Sequence, residues 1–151
     1  TKNKLSTNTR LLQENKELRE KVFRKYDIHS VFFSHTDMTP WGRTFMEQIL
    51  QDPRWRVVFL DDSIIILTDE IKYSDIRSDK RYMTQLVSSQ DNYLSLLRLT
   101  SILSVMGKNN LGNQAFIKAQ KINPSSCTIQ RAISENDVQN KSWVCSSFFS
   151  F

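Results

Sequence analysis

Between positions 26 and 70 the spacing of apolar residues changes several times. Ile28 to Ser34 is a short run of β-branched and aromatic side chains, which predicts a strand. Thr39-Pro40 then offers an N-cap followed by proline at the first helical position. Trp41, Phe45, Met46, Ile49 and Leu50 fall on one face over the next three turns, predicting an amphipathic helix. Asp52-Pro53 should end it, because proline disfavours a helical residue before it. Trp55 to Leu60 and Ile64 to Leu67 predict two further strands, with Asp61-Asp62-Ser63 supplying the turn between them. A strand–helix–strand unit with a crossover of about 20 residues is expected to be parallel and right-handed, and the hairpin adds an antiparallel strand. The fold class this predicts is α/β: a small three-stranded mixed sheet followed by an α-helical segment.

On the N-terminal side, residues 8–26 read as one helix. Leu11, Leu18, Val22 and Phe23 recur at spacings of seven, four and five, and the stripe should dock on the sheet. Residues 71–90 are polar and mixed, a connector with a helical turn around Tyr82 to Val87. From Asp91 the pattern becomes helical. Tyr93, Leu96, Leu97, Leu99, Thr100, Leu103 and Met106 predict a helix that stops at Gly107. Leu111, Ala115, Phe116, Ala119 and Ile122 predict a second, closed by Asn123-Pro124, and a third should run from Ser126 to Ser134. The organisation expected is an α/β domain over 1–70, a connector over 71–90, helices over 91–134 and a tail over 135–151. The tail SWVCSSFFSF (142–151) has the composition of an extra strand.

Composition narrows function mainly by exclusion. Only Gly42, Gly107 and Gly112 are glycine, so no Walker-A loop, dinucleotide fingerprint or nucleophile elbow can be assembled. The net charge of +5 is uneven. Residues 1–26 carry eight basic groups against three acidic ones, so they account for all of it and 27–151 sum to zero. A basic N-terminal helix is most simply a solvated face, and it also suits a membrane-surface contact. Nucleic acid is disfavoured, since its binders spread positive charge over a folded face with stacking aromatics. No apolar run reaches the ~18 residues of a membrane span. Cys127 and Cys145 have no metal-type spacing, and whether they pair is open.

His35, Thr36, Asp37 and Thr39 gather where the first strand hands over to the helix. Ligands dock at that place in open α/β sheets, and free N–H groups there favour anions. The same residues are ordinary capping and loop residues, which is the plainer reading. His29 and His35 share a strand face but stand ~20 Å apart, so they cannot ligate one ion. Asp61, Asp62, Asp69 and Glu70 flank the hairpin as turn and edge residues. Trp41 and Trp55 are expected in the core between helix and sheet. No catalytic residue, metal site or cofactor is expected in this chain.

Two resemblances follow. Taking Pro124 as a terminal proline, Leu96, Leu99, Thr100, Phe116 and Ala119 fall on packing positions of one tetratricopeptide repeat, with Gly112 in place of the usual alanine. That segment resembles a single copy of about 34 residues. The second resemblance rests on Lys25-Tyr26-Asp27-Ile28, Val31-Phe32-Phe33, Ile49-Leu50, Pro53-Arg54-Trp55, Val57-Val58-Phe59, Asp61-Asp62 and Ile64-Ile65-Ile66-Leu67. In this order the block is similar to the soluble C-terminal region of bacterial multi-pass membrane proteins of the dolichyl-phosphate-mannose–protein mannosyltransferase-like class, with Asp27 where a glycine is usual. The resemblance implies a non-catalytic soluble appendage of a membrane-embedded glycosyltransferase-like parent, extracytoplasmic and making protein or glycan contacts. A stand-alone tetratricopeptide-like adaptor that binds a peptide is the alternative, and a small hydrolase or transferase using His35 and Asp37 is a third.

Overall fold

The computed structural model describes residues 9–37 and 39–136, the side chains of 132–136 excepted. A helical turn over 9–14 precedes α1 (Lys16–Lys25), then β1 (Ser30–Ser34), α2 (Pro40–Gln51), β2 (Arg56–Leu60) and β3 (Ile64–Thr68). A 3₁₀ turn (Ile76–Ser78) leads into α3 (Lys80–Ser88), α4 (Tyr93–Val105), α5 (Asn109–Ile122) and α6 (Cys127–Asn136). The α/β class, the three strands and the helical second half are therefore present.

The sheet itself corrects the expected pairing. Its order is β1-β3-β2, and β3 is antiparallel to both neighbours, so the sheet is antiparallel rather than mixed. β1 and β2 do run in the same direction, as the crossover through α2 requires. The hairpin strand β3 inserts between them instead of adding at the edge. The inserted strand, Ile64–Thr68, is the most continuously apolar of the three and holds the central place, where both edges of its backbone find partners.

Val31, Phe33, Val57, Leu60, Ile65 and Leu67 turn to one face, and Phe45 of α2 meets Phe33 with ring centroids 4.9 Å apart. Val57 and Leu60 both reach that face because a bulge between Val57 and Phe59 shifts the register. The core continues without a break from Phe45 through Met83 and Val87 of α3 to Leu96, Leu103, Ala115, Ala119 and Ile129. The stretch 71–90 thus contains a helix of nine residues that contributes to this core.

Helix boundaries follow local chemistry. Thr39 caps α2 with Pro40 at its start, Asp79 and Asn92 cap α3 and α4, and Gly107 at φ +71 ends α4. There Gly107 N–H donates to Ser104 O and Lys108 N–H to Leu103 O, the paired bonds of a left-handed helix stop. Between α4 and α5, a Cβ on Gly112 would stand 3.2 Å from Ser104 Oγ and 3.3 Å from Thr100 O, so glycine lets the two backbones approach.

The N-terminal helix differs from its expected form. Asn15 interrupts it, its side chain accepting the Leu18 N–H at 2.9 Å. The break re-aims the docking face: Leu18 is 37% exposed while Arg19 is 3% exposed. Arg19 donates to the carbonyls of Leu12 and Gln13 at the end of the first turn and to Gln48 Oε1, above the Phe45 ring. Trp55 is buried as expected and meets Phe23 edge-on. Trp41 is only half-buried and lies under the Arg10 guanidinium, outside the core cluster. Cys127 is disulfide-bonded. Cys145 and the strand expected in the tail lie outside the described residues.

Candidate functional site

The end of β1 and the start of α2 bring His35, Thr36, Asp37 and Thr39 together, and each has a partner inside the fold. His35 N–H extends the β1–β3 pairing to Ser63 O at 3.0 Å, and its ring Nε2 donates to Asp61 O at 2.9 Å. A carbonyl only accepts, so Nε2 carries the proton. Burial pushes the His35 pKa below the usual value, opposed by the Asp61 carbonyl, and the neutral form is favoured. Thr36 Oγ1 pairs with Ser34 Oγ at 2.9 Å.

Asp37 accepts the Thr39 N–H at 2.9 Å, and Thr39 Oγ1 accepts the Gly42 N–H at 3.2 Å. At the start of α2 the Thr39 and Gly42 N–H groups are thereby bonded to the chain's own oxygens, and Pro40 has no N–H to offer. Gly42 is required by this arrangement. A Cβ there would lie 2.6 Å from Asp37 Oδ2 and 3.0 Å from Thr39 Oγ1. No hydrogen bond joins His35 to Asp37 among the described residues, so the pair is not arranged as a base and its orienting carboxylate.

The acidic residues of the hairpin are turn and docking groups. Asp61 Oδ1 accepts the N–H groups of Ser63 and Ile64, both at 2.7 Å. Asp62 reaches the helices, accepting from Ser95 Oγ at 2.6 Å and facing Arg98 at 3.6 Å. The Ser95 hydroxyl holds the Asp62 carboxyl below its usual pKa against the opposing effect of burial.

Three polar clusters were not read from sequence. His29 bridges two carboxylates, Nδ1 to Asp69 at 2.9 Å and Nε2 to Asp27 at 2.8 Å. The Asp69 bond, then the Asp27 bond, raise its pKa above the usual histidine value. At the same end of the sheet, on its β2 side, Arg54 is forked between Glu20 and Asp52, and Lys16 stands 3.7 Å from Asp52. With Gln48, Gln51 and Pro53 these residues line an open groove of ≈ 600 Å³. Arg77 binds Asp75 and donates to Leu50 O at 2.9 Å and Trp55 O at 2.7 Å, clamping the exit of α2 to the entry of β2. The one local signal for the last two was an Asp-x-Arg spacing, present at 52–54 and 75–77.

Among the described residues no group of three or more His, Cys, Asp or Glu side chains is placed to hold a metal ion. Among them, too, no helix is long and apolar enough to cross a membrane. No family model, curated protein or solved structure matches this chain.

Proposed function

We propose that this chain is a non-catalytic contact domain, the water-exposed appendage of a membrane glycosyltransferase-like parent, and that it acts through protein or glycan contacts. The observation that carries the reading is the fate of the polar residues at the mouth of the α/β unit. His35, Asp37 and Thr39 bond to Asp61 O, Thr39 N–H and Gly42 N–H and serve as cap and brace. The order of elements along 26–70, from β1 through α2 to the β2–β3 hairpin, also agrees with what the family resemblance implies. The parent's transferase chemistry would then reside outside this chain. The basic face of α1, where Lys21, Arg24 and Lys25 are exposed, suits a contact with an anionic membrane surface next to the parent's spans. The domain would stand on the extracytoplasmic side.

The test is the open reading frame and the fractionation of its product. The reading expects apolar spans of ~20 residues before Thr1 and a full-length product that pellets with membranes. A product that begins within a few residues of Thr1 and stays in the supernatant overturns it.

A second reading, a tetratricopeptide-like adaptor, is favoured by one observation. α4 and α5 pack closely through Gly112 and the fully buried Ala115 and Ala119, and Ile129 of α6 closes over the same core. A peptide ligand that shifts the amide resonances of α4 and α5 alone would support it over the first reading.

A further inference from the structure

The two edges of the sheet are finished differently. β2 begins with a charge at Arg56 and carries the bulge between Val57 and Phe59, both devices that blunt an edge. Its outward groups are also taken. The Asp75 carboxylate accepts the Val57 N–H, Arg77 donates to Trp55 O, and Tyr82 OH donates to Leu60 O at 2.9 Å. β1, Ser-Val-Phe-Phe-Ser, has no charge, no proline and no bulge in its pairing with β3.

The bonds at the ends of β1 fix which of its backbone groups point outward. Asp69 N–H donates to His29 O and His35 N–H to Ser63 O, so the odd-numbered residues are the ones hydrogen-bonded to β3. Ser30, Phe32 and Ser34 therefore present their N–H and C=O groups to the free edge. Apart from Ser34 O, which accepts the Asp37 N–H, these groups have no partner among the described residues. On the sheet face away from the helices, Phe32 is 73% exposed and lies in one row with Ile66 and Phe59.

We propose that β1 pairs with β1 of a second copy of this chain, antiparallel about a two-fold axis at Phe32, joining the two sheets into one of six strands. The register is set by the outward groups. With Phe32 opposite Phe32, Ser30 meets Ser34 and all three outward residues of each strand find donors and acceptors. On the open face the two Phe32 rings become neighbours and continue the row through Ile66 and Phe59 on both sides. On the helix face, the half-buried Val31 and Phe33 of one copy meet Phe33 and Val31 of the other, closing apolar surface left open at the edge.

The edge carries no charge that would oppose pairing with its own copy. Residues 30–34 are neutral in both copies. Just beyond them His29 of one copy falls opposite His35 of the other, whose ring is turned onto its own Asp61 carbonyl. A pairing of five residues per copy is smaller than the ~1,200 Å² of a standard interface, so the dimer forms with rising concentration. This inference names a partner for the contact-domain reading but rests on the edge geometry alone, so a membrane parent is neither required nor excluded by it.

The experiment is sedimentation velocity on the full chain from about 10 μM to 1 mM, with amide hydrogen exchange at both limits. The expected result is a monomer–dimer equilibrium. The amides of Ser30, Phe32 and Ser34 gain protection with concentration, while those of Val31 and Phe33 are protected throughout. Phe32→Lys, at an exposed position that leaves the core intact, raises the dimer Kd at least tenfold by placing two charges face to face. Phe32→Glu does the same, and an equimolar mixture of the two variants dimerises again, which a misfolded variant would not do. A chain that stays monomeric overturns the proposal, as does a dimer indifferent to Phe32→Lys. Protection of Ser30, Phe32 and Ser34 at every concentration also overturns it, since the chain itself would then cover the edge.

Discussion

Replacing Arg77 by methionine tests how the two halves of the chain are joined. The guanidinium donates to Leu50 O at the end of α2 and to Trp55 O at the entry to β2, and binds Asp75 beside them. The Arg77 and Asp75 side chains are only 21% and 25% exposed, so water replaces these partners poorly. A hydrogen bond from a charged donor contributes about 1.5–3 kcal/mol, and methionine retains most of the apolar stem contacts. Losing two such bonds at the low end of that range costs about 3 kcal/mol, and leaving Asp75 without its cation adds about 1 kcal/mol, about 4 kcal/mol in all. For a chain of this length that lowers Tm by roughly 8–10 °C. Adding Asp75→Asn to the variant removes the unpaired carboxylate but keeps an oxygen for the Val57 N–H, and should restore about 1 kcal/mol. Urea unfolding of wild type, both single variants and the double variant gives the coupling directly. A loss below about 0.5 kcal/mol for Arg77→Met, or strictly additive effects in the double variant, would refute the clamp.

The remaining predictions use the same unfolding assay. Ala119 is fully buried between α5 and its neighbours, so Ala119→Phe should cost about 1–3 kcal/mol by overpacking, and an unchanged melt would contradict the packing of α4 on α5. Gly42→Ala places a Cβ 2.6 Å from Asp37 Oδ2 and should cost about 1–2 kcal/mol, less when Asp37→Ala is also present; equal costs in both backgrounds would show that Asp37 does not occupy that space. The Arg54 hydrogen bond, against the opposing effect of burial, holds the Asp52 carboxyl at about 2, below its ordinary 3.8. The stability Asp52 contributes is therefore complete above pH 4 and lost as pH falls through 2, with an upper bound of about 2 kcal/mol because Arg54 is half exposed. Wild type and Asp52→Asn should differ at pH 5 and converge near pH 2, and a gap independent of pH would contradict this.

What could be read from the sequence was the chemistry that acts within a few residues. Thr39-Pro40, Asp52-Pro53, Asp61 and Gly107 each close a local backbone bond, and each marked a boundary the structure retains. Strand order was not legible in the same way. A twenty-residue crossover is compatible with adjacent parallel strands and with a strand inserted between them, and the choice depends on which strand can be buried on both edges. Arg19 and Leu18 exchanged roles because one side-chain cap at Asn15 re-aimed the helix by a residue. Periodicity treats arginine as a surface residue, and the carbonyls of Leu12 and Gln13 with Gln48 Oε1 explain why this one is buried. His29 with Asp69 is a pairing forty residues apart, for which a single sequence carries no signal.

The account's central claim is that the polar cluster between β1 and α2 braces the fold and performs no chemistry. The most direct measurement is turnover of sugar phosphates and lipid-linked sugars by the purified chain, run beside thermal melts of His35→Ala and Asp37→Ala. The account predicts no turnover by any of the three proteins and a lower Tm for both variants, because each loses a bond that ties β1 to the hairpin or caps α2. Turnover by the wild-type chain, abolished in either variant while its Tm is unchanged, would contradict it.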